Sequence, residues 1–107
     1  MSKFGNIPRR CRQGTMHQST LEAHRCDELH MLQAGGLISE LQAHPQPSIR
    51  LDVNGQHVCT VIPDFRYLGE NGEEIYEDTK GVATAEWKLK RKLLWALKKI
   101  EIREIRR

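Results

Sequence analysis

The stretch VIPDFRYLGENGEEIYEDTKG, residues 61–81, decides how this chain builds its sheet. It places Pro63-Asp64 at the end of one predicted strand and Asp78-Thr79-Lys80 at the end of the next, joined across an Asn71-Gly72 turn signal. Acidic side chains are poor strand residues, so two that converge on one sheet need a reason, and a divalent cation supplies one. Within the second strand Ile75, Glu77 and Thr79 face one way and Tyr76, Asp78 and Lys80 the other. Asp78 and Lys80 therefore share a face. An antiparallel hairpin sets the late part of its first strand beside the early part of the second, so Asp64 and Asp78 are expected to meet only where the hairpin bends or splays.

Working backwards, HVCTVIPDFRY alternates Val58, Thr60 and Ile62 with Cys59 and Val61, a near-continuous run that predicts a central strand covered on both sides. Asn54-Gly55 signals a hairpin to the preceding extended stretch, where Ile49, Leu51 and Val53 alternate and Pro45 and Pro47 exclude a helix. Further upstream, STLEAHRCDELHMLQAGG begins with a capping box, Ser19 and Glu22, and stops at Gly35-Gly36, which predicts a helix over 20–34. Glu22, Cys26 and Leu29 stand at i, i+4 and i+7, so the Glu22 carboxylate starts from the edge of the buried face.

Downstream, Thr84 caps a second amphipathic helix. Leu89, Leu93, Ala96 and Ile100 form one stripe, Trp87 and Leu94 a neighbouring one, and Trp87 and Trp95 read as packing residues. KIEIREI can return as a last strand. The element order is α-β-β-β-α-β, an α/β fold with a mixed sheet flanked by helices.

A length of 107 residues predicts one domain, 18–107, behind a flexible basic arm, 1–17. No run of about 18 apolar residues and no apolar signal core is present, so a cytoplasmic place without membrane contact is expected. Cys11, Cys26 and Cys59 are odd in number and form no CxxC, which suits reduced thiols, and the histidines lack zinc spacing. Charge is segregated: residues 1–12 carry +4, residues 13–83 carry −7 and residues 84–107 carry +6, for a net +3. Basic ends around an acidic middle suit a polyanion gripped by the flanks, with cations held against it by the centre. The bland alternative is solvated charge that serves solubility.

Asp64 and Asp78 would make a hard oxygen site for Mg²⁺ or Mn²⁺, with the Thr79 backbone carbonyl as a third ligand. Lys80 would lie beside it, where an ammonium can orient a water or neutralise charge on a phosphate. Lys88, Lys90, Arg91 and Lys92, outside the leucine stripe, and Arg9, Arg10 and Arg12 in the arm are the candidate phosphate contacts. The plain alternative is that Asp64 opens a turn after Pro63 and that Glu77, Asp78 and Lys80 are ordinary charges on an exposed strand.

PDFRY, a spacing of thirteen residues and DTK resemble the PD-(D/E)XK pattern of restriction-type endonucleases and Holliday-junction resolvases. STLEA, LISELQAHP, PDFRY, EDTKG and WKLKRKLL, over about residues 19–105, are similar to a family of small phage and prophage proteins assigned to that superfamily. The resemblance implies a restriction-endonuclease-like core, with Asp64 and Asp78 as metal ligands, Lys80 as the catalytic lysine and Glu22 as a first-helix acid reaching metal through water. It departs at His44, where a glutamine is expected in LQAHP, so His44 is a candidate accessory residue. Together these readings lead to a metal-dependent endonuclease acting on DNA, of phage origin, favouring branched or junction DNA and working as a homodimer. A DNA-binding or assembly protein without turnover, and a nuclease acting on RNA, are the alternatives.

Overall fold

The structure, a computed structural model, describes residues 8–11, 16–17, 19–79 and 84–106. Two short strands, β1 (Arg9–Arg10) and β2 (Met16–His17), pair antiparallel and lead into helix α1 (Thr20–Ala34). The Ser19 hydroxyl accepts the Glu22 N–H, and Gly35 closes the helix. Strands β3 (Ser39–Ala43), β4 (Ile49–Val53), β5 (Gln56–Val61), β6 (Phe65–Leu68) and β7 (Glu74–Thr79) follow, then α2 (Ala85–Lys98) and β8 (Ile102–Ile105).

The main sheet has the order β3-β6-β7-β8, antiparallel except for the parallel β7–β8 pair, while β4 and β5 form a separate ribbon. Residues feeding this sheet follow the expected order, helix, three strands, helix, strand, but the three strands are not the expected three. The run from Val58 to Tyr67 is one strand by pattern and two in the fold. It breaks at Ile62-Pro63-Asp64, where proline has no N–H for a ladder. The part before the break belongs to the ribbon, closed by a tight turn in which Asn54 and Gly55 both take positive φ. That part is therefore not central: Val58 and Ile62 are exposed, and β3 supplies the outer strand of the sheet instead.

Two apolar clusters lie on opposite faces of this sheet. Phe65, Tyr67 and Ile75 pack with Ala23, Cys26 and Leu29 of α1; Ile102 and Tyr76 pack with Trp87 and Leu94 of α2 and with Ile49, Leu51 and Val61 of the ribbon. The buried side of α2 is thus the Trp87–Leu94 stripe. Leu89 is exposed, and so is Trp95, contrary to their expected packing roles, because only one narrow side of α2 meets the sheet.

The expected domain boundary is not a packing boundary either. Cys11 is buried, its Sγ 3.5 Å from that of Cys26, so residues of the predicted arm contribute to the core. Cys11, Cys26 and Cys59 form no disulfide. Among the described residues no helix is long and apolar enough to cross a membrane.

Candidate functional site

The β6–β7 hairpin sets Phe65 opposite Glu77, Arg66 opposite Tyr76, Tyr67 opposite Ile75 and Leu68 opposite Glu74. One further step along this register brings Asp64 to Asp78. The Asp64 N–H donates to Asp78 Oδ1 (3.1 Å), while the Thr79 N–H (2.8 Å) and hydroxyl (2.7 Å) both donate to Asp64 Oδ2. Each carboxylate thus accepts a backbone N–H of the opposite segment. The expected splaying of the hairpin is unnecessary: the break at Pro63 makes Asp64 the head of β6 rather than the tail of the preceding strand, and ordinary antiparallel pairing then does the rest. Asp78 is buried and Asp64 half-buried.

One residue before Asp78 the chemistry is different. Glu77, on the α1 side of the sheet, is completely buried (0 % exposed) and receives a two-pronged bond from Arg25, Nε to Oε1 and Nη2 to Oε2, each 2.7 Å. The Tyr67 hydroxyl donates to the same carboxylate. The Glu77 bond holds the Arg25 guanidinium above its ordinary pKa, and burial, followed by the bond to Glu77, pushes the Tyr67 phenol up to about 12. Sequence reading assigned Glu77 no place of its own. The available signal was its alternation with Ile75, opposite Phe65 and Tyr67, which puts it on an apolar face where a charge must be paired.

The remaining candidates separate. Lys80 and Arg12 lie outside the described residues. Glu22 is buried in the first turn of α1. Among the described residues no three His, Cys, Asp or Glu side chains are grouped to hold a metal, so Glu22 and His44 do not complete a ligand set with the two aspartates. His44 follows β3 directly, and its N–H donates to the Asp64 carbonyl at 2.7 Å. Its Nδ1 is buried without a hydrogen-bond partner. Thr79 enters the pair through its N–H and hydroxyl. Arg9, Arg10, Lys88, Arg91 and Lys92 are exposed, while Lys90 is half-buried and pairs with Glu86 (3.1 Å).

On the next strand, Glu104 is the register partner of Asp78. It accepts the Trp87 indole N–H (2.9 Å), an Arg91 bond and an Arg106 bond (2.8 Å). The indole bond first, then Arg106 and Arg91, hold its carboxyl down to about 2. With Arg91 and Arg106 on it, Glu104 adds no net negative charge beside Asp78.

The donor set at Asp64 and Asp78 suits a hard divalent cation: two carboxylates brought to one sheet end, one of them oriented by Thr79, are what Mg²⁺ takes from a protein when water and phosphate supply the rest. The family described as "Protein of unknown function (DUF1064)" matches residues 1–106. No curated protein and no solved structure matches the chain.

Proposed function

The chain belongs to the DUF1064 family, and from the acidic end of its sheet we propose that it is a Mg²⁺- or Mn²⁺-dependent endonuclease acting on DNA. The observation that supports this reading is the meeting of Asp64 with Asp78, where the Asp78 carboxylate accepts the Asp64 N–H and the Asp64 carboxylate accepts the Thr79 N–H. Asp64 and Asp78 would hold the cation, which when bound supplies Lewis acidity to a scissile phosphate. Thr79 fixes the Asp64 carboxylate through two bonds, so that oxygen does not have to be ordered when substrate arrives. Lys88 and Lys92 on α2, and Arg9 and Arg10 on β1, offer exposed cations to neighbouring phosphates. In the same proposal Lys80 assists at the phosphate, as its sequence alternation with Asp78 suggests. The PD-(D/E)XK resemblance supports the same assignment, as does the order of elements in the main sheet. A homodimer, with two such sites to cut both strands, and a preference for branched DNA complete the reading.

The test is cleavage of duplex, single-stranded and junction DNA, with RNA as control, in Mg²⁺ or Mn²⁺. Asp78→Ala should abolish cleavage in a chain that still melts cooperatively. No cleavage of any substrate in any divalent metal would overturn the proposal.

A second reading has one observation in its favour: the two carboxylates already bond to one another's segments, which serves to close the sheet end without any metal. It makes the protein a DNA-binding or assembly module. Retained DNA binding with no turnover in any metal would support it.

A further inference from the structure

A cavity of about 570 Å³ lies between α2 and β8, lined by Arg91, Lys92, Trp95, Ile100, Glu101, Ile102, Arg103 and Glu104. Its volume falls within the range of ligand pockets, ~300–1,000 Å³. Trp95 is 52 % exposed there, while Trp87 is buried with its N–H committed to Glu104. The two tryptophans of α2 therefore have different occupations. Lys88, Lys92 and Trp95 stand at i, i+4 and i+7, one exposed stripe of α2, and the ammonium of Lys99, the left-handed residue that caps the helix, stands 5.2 Å from the Trp95 ring centre.

We propose that Trp95 is a stacking platform for an unpaired base of a DNA strand, with Lys92 and Lys99 against the phosphates that flank it. This deepens the endonuclease reading and rests on it for the direction of the strand.

Three observations carry the assignment. A large half-exposed aromatic surface within a cavity is a binding surface in most contexts, and every base has a π-face to lay on it. The charge around the ring is positive: Arg91 and Arg106 occupy Glu104, leaving Glu101 against Lys92 and Lys99. The position is also right. Glu104 lines the cavity and pairs in register with Asp78, and adjacent strands are about 4.8 Å apart, so the cavity opens one strand away from the acidic pair. A strand crossing Asp64 and Asp78 can continue along α2 toward Trp95. Duplex DNA presents no free base face to such a ring, so the substrate class is DNA with a single-stranded flank, as at a flap, fork or junction.

The experiment is a binding titration of the full chain with labelled oligo(dT), oligo(rU) and a blunt duplex, in EDTA so that neither cleavage nor metal enters the readout. Trp95→Ala should weaken oligo(dT) binding by about 5- to 150-fold, the range seen for loss of one stacked base. Trp95→Phe should restore most of the loss, and duplex binding should shift less than threefold in either variant. Indole fluorescence should quench on oligo(dT) in the unaltered chain and not in Trp95→Phe, since Trp87 is buried. Equal oligo(dT) affinity in Trp95→Ala and the unaltered chain overturns the inference. So does a preference for oligo(rU) with the same Trp95 dependence, or a change in sedimentation of Trp95→Ala that shows the ring covered by a second copy. Trp95-dependent binding in a chain that never cuts would sink the endonuclease reading and leave this site standing; cutting that ignores Trp95 would do the reverse.

Discussion

Glu77 and Asp78 are neighbours in the chain, and both are buried (0 % and 3 % exposed), yet they sit on opposite faces of one strand and do opposite things. Glu77 faces α1, where Arg25 and Tyr67 meet its carboxylate with a two-pronged guanidinium bond and a phenol bond. Asp78 faces the other way, and its Oδ1 accepts the Asp64 N–H. Glu77 is matched by a cation and a phenol, whereas the Asp78 carboxylate accepts the N–H of a residue whose own side chain is acidic. Burial alone does not distinguish the two. The identity of the neighbours does.

Four substitutions test that contrast. Arg25→Met leaves Glu77 charged and stranded, and should lower stability by about 3–5 kcal/mol in urea unfolding. A loss below about 1 kcal/mol would erase the distinction between the two faces. Tyr67→Phe removes one bond to the same carboxylate, worth about 1.5–3 kcal/mol. Because the folded phenol is raised to about 12 from an ordinary 10, its contribution is complete below pH 10 and is lost as pH climbs through about 12. Melting temperature should fall across that window in the unaltered chain and stay flatter in Tyr67→Phe.

On the Asp78 side the effects are smaller. Glu104→Gln should cost about 1 kcal/mol, since its arginine partners are half-exposed. Here the carboxyl is depressed from 4.5 to about 2, so the contribution is complete above pH 4.5 and fades as pH falls toward 2. The acid limb of the stability profile should flatten in the variant. Asp78→Asn should change stability by less than about 1 kcal/mol, because an amide oxygen still accepts the Asp64 N–H. A cost equal to that of Arg25→Met would place Asp78 with Glu77 as a structural acid and remove the support for a cation site.

Much of the architecture was legible locally. The capping box at Ser19 and Glu22 and the glycines at 35–36 delimit α1, Thr84 starts α2, and the alternation of residues 74–79 assigns each side chain its face. Two features escaped. Pro63-Asp64 reads as the end of a strand, but nothing periodic shows that a new strand starts at once with Phe65, since Val61 and Phe65 continue one apolar pattern; the geometry of the Asp64–Asp78 pair depends on that second strand. The exposure of Trp95 was equally hidden, because a helix with apolar residues on several sides does not announce which side the sheet will cover.

By itself, the order of residues determined where helices begin and end, where chains turn and which strand residues share a face, because these follow from hydrogen-bonding and steric preferences of a few adjacent residues. Only the tertiary structure decided that Asp64 would lead β6 and reach Asp78, that Arg25 would cross from α1 to Glu77, and that α2 would bury Trp87 while leaving Trp95 out. Those outcomes turn on pairings between segments far apart in the chain, and such a pairing is chosen by the packing of the whole rather than by the preferences of either partner.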